Sequence, residues 1–203
     1  LPSGLDVLII LDAAILRREM LYAIDQFVMK GGSLIVMVDP YVRSNPASNK
    51  LKPSPSREVN DITDLLQRYG LLYKDQQVVG DTSAGAIVTD KKQRSFTYPF
   101  WIRIRENGLS SDHPVTASLN EVFFVESGYF ENKAEKRVIP LVTTSKAAGV
   151  LDRTLFSKYL PRNLTAQFSE GNGKKLVAGA IRGPFQSAFT KHPEEVTTNP
   201  RQK

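Results

Sequence analysis

The stretch GGSLIVMVDP, residues 31–40, decides the fold that the sequence predicts. Two glycines end the segment before it, and five apolar residues then follow without a polar interruption. An unbroken run of this kind is typical of a parallel strand that is covered on both faces. The run stops at Asp39, and Pro40 favours a turn there. The sequence therefore raises the question of whether Asp39 binds a ligand at the mouth of a sheet or only ends a strand.

The residues before this stretch indicate a strand followed by a helix. LDVLIIL, residues 5–11, is a second unbroken apolar run, and residues 16–30 read as an amphipathic helix. One stripe of that helix is apolar and consists of Met20, Leu21, Ile24, Phe27 and Val28. Gly31 is expected to end the helix in a left-handed conformation. Strand, helix and strand in so short a segment predict a right-handed βαβ unit with parallel strands.

The pattern continues with an amphipathic helix at 59–69, closed by Gly70, and a short strand, QQVVGD. We therefore predict an α/β fold with a mainly parallel sheet flanked by helices. The strands 5–11, 34–38 and 76–79 should be neighbours, and the helices near 17–30 and 59–69 should cover them.

Beyond residue 82 the apolar runs become short, which predicts a β-rich second half with one short helix near VTASLN, residues 115–120. The whole of residues 1–190 is expected to form a single α/β domain. The polar, proline-rich loop from Val42 to Arg57 is expected to be mobile or partner-dependent, and residues 191–203 are expected to be a disordered tail.

Composition excludes several classes of protein. The chain has no cysteine, so thiol nucleophiles, thiolate metal sites and disulfides are ruled out. No apolar run is long enough to span a bilayer. The net charge of +6 comes from residues 91–203, but the basic residues are scattered, so nucleic acid is not an expected partner. The N-terminus enters a strand almost at once and lacks the pattern of a signal peptide, which suggests a fragment of a longer protein.

Three aspartates follow predicted strands and are candidate ligand contacts: Asp12, Asp39 and Asp81. Ligands of open parallel sheets bind beyond the carboxyl ends of the strands, where three carboxylates could hold a magnesium ion or share acid and base roles. Aspartate is also the ordinary residue for ending a strand or capping a helix, and the sequence favours that structural role. No catalytic residue and no metal ligand is therefore assigned.

Other catalytic patterns are missing from the sequence. Neither a Gly-x-Ser-x-Gly elbow nor a phosphate-binding glycine motif occurs. His113 and His192 each precede a proline in a polar loop, a context that is typical of surface turns. No cofactor is predicted.

A further candidate site lies in the aromatic run FTYPFWIRIR, residues 96–105. In a strand, Trp101, Arg103 and Arg105 would share the face opposite to the core. An indole beside two guanidinium groups could stack on a sugar ring and bind an anion. The alternative is that Trp101 packs into a neighbouring helix while the arginines lie over it.

Several motifs together resemble a known family. In chain order they are LYAIDQFVMKGG, VDP, LLQRYGL, VVGD, YPFW, HPVT, LVTTS and RGPFQSAF. Their order over about residues 1–190 is similar to the auxiliary component of a gliding-motility-type ABC transporter, known as the ABC-type uncharacterised transport system.

The resemblance implies an extracytoplasmic domain on the periplasmic face of the inner membrane, tethered through membrane segments that this chain lacks. It also implies a sheet similar to flavodoxin or to class I glutamine amidotransferases, and permease and ATPase subunits as partners. The expected function is non-enzymatic binding of a partner subunit or of a ligand such as a carbohydrate. The alternatives are a metal-assisted hydrolase that uses the three aspartates and a cytoplasmic nucleotide-binding module of flavodoxin type.

Overall fold

The computed structural model describes residues 1–11, 16–42, 61–134, 137–171 and 173–193. The helices are α1 (Arg18–Met29), α2 (Ile62–Tyr69) and α3 (Pro161–Gln167), with single 3₁₀ turns at Glu106–Gly108 and Arg153–Leu155. The strands in the first half are β1 (Val7–Leu11), β2 (Ser33–Met37), β3 (Leu71–Tyr73), β4 (Gln77–Asp81), β5 (Gly85–Thr89) and β6 (Ser95–Arg105). The strands in the second half are β7 (Glu121–Val125), β8 (Phe130–Asn132), β9 (Val138–Thr143), β10 (Ala148–Asp152) and β11 (Leu176–Ile181).

The βαβ unit predicted at the N-terminus is present. β1 and β2 pair in parallel, from Val7 opposite Ser33 to Leu11 opposite Met37, and α1 connects them. Gly31 follows the helix with φ of 94°, as the sequence predicted, because glycine adopts this left-handed conformation without a steric penalty.

The prediction of a mainly parallel, flavodoxin-like or amidotransferase-like sheet is wrong. β4 does not join β1 and β2 but pairs antiparallel with β10. The other sheets are antiparallel as well: β5-β6-β7 in one and β3-β8-β11-β9 in another. The physical reason is clearest for β5 and β6, because the connection between them, residues 90–94, has no room for a crossover helix and the two strands therefore run in opposite directions. Short apolar runs do not distinguish the two kinds of pairing.

In the part of the chain that the structure describes, three hydrophobic clusters stabilise these sheets. The first joins α1 and α2 to the inner faces of β1 and β2 and to Ala188 and Phe189. The second contains Val78, Tyr98 and Phe100 with residues of the α3 region. The third contains Val79, Ile102 and Ile104 with β9 and β11. β4 and β6 therefore contribute residues to both clusters of the antiparallel half.

Local signals predicted α2 better than the later helices. Asp61 caps α2 by accepting hydrogen bonds from the backbone N–H groups of Thr63 at 2.7 Å and Asp64 at 3.0 Å, and Gly70 follows it with φ of 122°. VTASLN forms turns rather than the predicted helix, and α3 was missed. The predicted mobile loop, apart from Val42, lies outside the described residues, as does the tail after residue 193.

Candidate binding surfaces

Asp81, one of the three candidate strand-end acids, is a structural residue in a fully buried position. Its Oδ1 atom accepts hydrogen bonds from the N–H groups of Ser83 at 3.0 Å and Ala84 at 3.2 Å and from the hydroxyl of Ser145 at 2.8 Å. Its Oδ2 atom accepts a bond of 2.6 Å from the Ser145 N–H. The carboxylate thus connects the β4–β5 turn to the β9–β10 loop, with no exposed surface for a ligand.

Asp39 and Asp81 lie in different surroundings. Asp39 follows β2 and is exposed, while Asp12 lies outside the described residues. Within the ranges that the structure describes, no three His, Asp or Glu side chains are arranged to hold a metal ion.

Trp101 lies on the outward face of the sheet β5-β6-β7, as the alternation of β6 predicts. Phe100 and Ile102 on either side of it are fully buried, whereas 36% of Trp101 is exposed. Its ring makes edge-to-face contacts with Tyr98, at a centroid distance of 6.0 Å, and with Phe123, at 6.2 Å. These ring contacts come from its own strand and from β7. Trp101 and Phe123 together form an aromatic patch that is partly open to solvent.

Arg103 and Arg105 lie beside this patch but share one carboxylate. Nη1 of Arg103 and Nε of Arg105 each lie 2.9 Å from an oxygen of Glu121 on β7. The hydrogen bond from Arg105, with the positive charges of both arginines, lowers the pKa of Glu121 below its usual value. The Arg103 guanidinium also lies over the Phe123 ring, 5.1 Å from its centroid. The two guanidinium groups are therefore already neutralised in part, which weakens the predicted anion contact.

A buried acid lies under the aromatic patch, and sequence reasoning missed it. Glu126 follows β7 with φ of 51°, a left-handed conformation that is uncommon for residues other than glycine. It is 2% exposed and accepts a hydrogen bond of 2.9 Å from the hydroxyl of Tyr98. The side-chain hydroxyl of the next residue, Ser127, is buried without a partner among the described residues. The only sequence signal was an acid directly after an apolar run.

Sequence reasoning also missed the outer face of β1 and β2. Five apolar side chains on this face are between 43% and 65% exposed: Val7, Ile9, Leu11, Ile35 and Met37. Ile9 lies directly opposite Ile35, and Leu11 lies opposite Met37. The intervening residues face α1 and α2. The expectation that both faces of these strands are buried is therefore wrong for this chain, and we call the exposed side the β1–β2 outer face.

His113, which the sequence assigned to a surface turn, does lie in a turn but is only 8% exposed. It borders a cleft of about 560 Å³ between the segment that follows β6 and strand β9. The Arg182 guanidinium, just after β11, borders the same cleft.

None of the helices that the structure describes has the length and apolar composition needed to cross a bilayer. A search of curated proteins found no match to the chain. The model of one protein family, described as ABC-type uncharacterized transport system, matches residues 1–203. Because that match covers the whole sequence, it confirms the resemblance carried by the ordered motifs. The chain belongs to the family of auxiliary components of ABC-type transport systems.

Proposed function

We propose that the chain is a non-catalytic binding domain that attaches a partner subunit of its transport system to the β1–β2 outer face. The observation that carries this proposal is the row of five exposed apolar side chains on two paired strands. Contiguous apolar surface of this kind marks interaction sites in soluble domains.

The form of the sheet supports a covering partner. Parallel strands with unbroken apolar sequences are found almost only where helices cover both faces. Here α1 covers one face, and the other presents Val, Ile, Leu and Met side chains with Ser33 at one end and no charged residue in either strand. An apolar helix of a partner subunit would complete the second layer. Membership of a transport-system family supports a subunit of that system as the partner.

The hydrogen bonds that the Asp81 carboxylate accepts support a non-catalytic role. A metal-assisted hydrolase would need Asp81 together with Asp12 and Asp39, but four hydrogen bonds already occupy the Asp81 carboxylate. Titration calorimetry with Mg²⁺ tests this point. Micromolar binding that is lost in Asp39→Asn would favour the hydrolase instead.

We propose that the domain lies on the periplasmic side of the inner membrane, tethered in the full-length protein; the family resemblance supports this location. The absence of cysteine makes the test simple. Ile87 is 77% exposed, so Ile87→Cys provides one accessible thiol. A maleimide that does not cross the inner membrane should label this variant in intact cells, and the unsubstituted chain should stay unlabelled. Labelling that requires lysis of the inner membrane would contradict the location.

The partner surface is tested by Ile9→Glu, which introduces one charge at the centre of the β1–β2 outer face. The variant should keep its fold because Ile9 is already more than half exposed. We expect binding to the purified membrane subunits of the transport system to weaken at least tenfold. Val115→Glu, at an exposed position in the turn after His113, is the matched control and should bind normally. Equal binding by Ile9→Glu would refute the surface. Concentration-dependent dimers lost in Ile9→Glu, without subunit binding, would assign this face to self-association.

A second candidate function, binding of a carbohydrate, is favoured by the aromatic patch. Sugars stack on exposed aromatic rings while their hydroxyl groups bind neighbouring polar groups. Trp101 supplies the ring, and the ion-paired Arg103, Arg105 and Glu121 supply donors and acceptors beside it.

The test of this candidate compares the wild type with Trp101→Ala for binding to a panel of neutral oligosaccharides. Binding is measured by tryptophan fluorescence in the wild type and by calorimetry in both proteins. Because Trp101 is the only tryptophan, any fluorescence change reports on this site. We expect the variant to lose sugar binding while the melting temperature changes by only a few degrees. Leu160→Ala, at a more exposed apolar position, is the control. A large loss of stability in Trp101→Ala would show that the ring is part of the core.

A further inference from the structure

The cleft beside His113 combines a buried imidazole, an arginine and two closely packed backbone segments. It is bordered by Gly108, Ser110 and Pro114 on one side and by Pro140 and Leu141 of β9 on the other. The Ser110 N–H donates a 2.9 Å hydrogen bond to the Leu141 carbonyl, so the two sides are joined at the base. A Cβ atom at Gly108 would lie 2.4 Å from the Thr143 carbonyl oxygen, which shows how closely the backbone approaches β9 there.

The hydrogen bonds of His113 determine which of its ring nitrogens carries a proton. The backbone N–H of Val115 donates to Nδ1 at 3.3 Å, so Nδ1 is an acceptor. We therefore assign the single proton of the neutral ring to Nε2, because Nδ1 already accepts from the backbone. Nη2 of Arg182 lies 3.4 Å from this Nε2, and guanidinium nitrogens are donors only. Nε2–H of His113 and Nη2–H of Arg182 are therefore two donors that face each other. Among the described residues, neither of these N–H groups has an acceptor in the cleft.

We propose that this cleft binds an oxyanion, such as a carboxylate or a phosphate group, between Nε2 of His113 and Nη2 of Arg182. An oxygen atom of the ligand would accept a hydrogen bond from both donors and would remove the mismatch between them. Asn107, Ser110 and Thr143 border the cleft and add polar groups, while Leu109 and Ile139 add apolar surface for the rest of the ligand. A volume of about 560 Å³ is in the range of small-molecule sites.

The charge around the cleft fits a ligand with a single acidic group. Asp112 is the one acidic side chain that borders it among the described residues, and it opposes a second negative charge. An acidic sugar meets this description because it has one carboxylate and several hydroxyl groups. Inorganic phosphate presents the same oxygen chemistry without the hydroxyl-bearing ring.

The experiment titrates the isotopically labelled protein with glucuronate, inorganic phosphate and glucose, and follows the imidazole signals of His113 and the guanidinium signals of Arg182 by NMR. We expect saturable shifts at both side chains with glucuronate and none with glucose. Phosphate producing the same shifts as glucuronate at equal concentration would identify the oxyanion alone as the ligand. Stronger binding of glucuronate would show that the ring contributes as well. The proposal is overturned if neither anion causes saturable shifts or if glucose binds equally.

Arg182 is exposed, so the substitution Arg182→Gln should leave the fold intact. The variant should weaken binding of the anion at least tenfold. Arg68→Gln, which removes an exposed arginine of α2, is the matched control for a general loss of positive charge and should bind normally. Trp101→Ala and Ile9→Glu should also leave anion binding unchanged, which separates this site from the two surfaces proposed above. Equal weakening in Arg68→Gln and Arg182→Gln would reduce the effect to net charge and refute the site.

Discussion

The hydroxyl of Tyr69, at the end of α2, donates a hydrogen bond of 2.9 Å to Oδ1 of Asp25 in the middle of α1. Asp25 is completely buried, and it also accepts bonds from the Ser187 hydroxyl at 2.6 Å and the Ala188 N–H at 2.9 Å. One carboxylate therefore connects both helices to the segment that follows β11. A buried acid with several donors is a structural anchor whose loss leaves those donors without a partner.

The first prediction is that Asp25→Ala destabilises the protein by about 3 kcal/mol, because the substitution leaves the buried Tyr69 hydroxyl and the buried Ala188 N–H without their acceptor. Urea unfolding followed by circular dichroism measures the change. Asp75→Ala removes an exposed acid and serves as the control, with an expected change below about 0.5 kcal/mol. Similar small changes for both variants would contradict the anchoring role of Asp25.

The second prediction concerns alkaline pH and Tyr69. Burial, reinforced by the negative charge of Asp25, raises the pKa of the Tyr69 hydroxyl above its ordinary value of 10.0. The folded protein therefore keeps this proton when the unfolded chain releases it, and the stability that Tyr69 contributes is present below pH 10 and decreases as pH rises above it. The difference in unfolding free energy between wild type and Tyr69→Phe should be about 1 kcal/mol at pH 8 and should shrink toward pH 11.5. A constant difference over this range would contradict the assignment.

The third prediction concerns acidic pH and Glu121. Its pKa is lowered mainly by the hydrogen bond from Arg105, so Arg105→Gln should raise that pKa toward the usual value of 4.5. Any stability gained from the ion pairs is present above pH 4.5 and is lost as pH falls through the lowered pKa. Titration of the Glu121 carboxyl carbon by NMR measures the change. Arg94→Gln, which removes one of the two arginine partners of Asp90, should leave Glu121 unaffected.

The fourth prediction compares two strand glycines. A Cβ atom at Gly149 in β10 would lie 2.2 Å from the Ser169 carbonyl oxygen, and backbone cannot move aside as a flexible side chain does. Gly149→Ala should therefore cost about 2 kcal/mol or more. At Gly179 in β11 the nearest atom is 3.4 Å away, at the end of a leucine side chain, so Gly179→Ala should change stability by less than about 1 kcal/mol. Thermal unfolding of both variants checks the order.

The sequence predicted features that depend on neighbours along the chain. The left-handed Gly31 after α1, the end of α2 at Gly70 and the alternation of β6 around Trp101 follow from local sterics and from periodicity, and the structure has them. The pairing of β4 with β10 was not predictable in this way, because it joins residues about 70 positions apart and depends on which strands can meet in space.

For the candidate site residues as well, features set by neighbours along the chain were predictable and features set by distant residues were not. Asp81 was recognised as a strand-end acid, but its use depends on Ser145, which is distant in sequence. His113 looked like an ordinary turn residue, because neither its burial nor its approach to Arg182 leaves a trace in a single sequence. The exposure of Ile9 and Ile35 was missed for the opposite reason, since an apolar run predicts burial without showing whether the covering layer belongs to the same chain.

The division of β6 between two hydrophobic clusters determines which parts of the protein unfold together. Tyr98 and Phe100 belong to one cluster and Ile102 and Ile104 to the other, and β4 contributes Val78 and Val79 in the same way. Loss of either cluster exposes a strand that the other needs, so the antiparallel half should exchange its amide hydrogens as one cooperative unit. Among the described residues, β1, β2 and α1 contribute no buried side chain to those two clusters, so we expect them to open separately from the antiparallel half. A partner that binds the β1–β2 outer face, as proposed above, would then contact the part of the protein that opens separately from the antiparallel half.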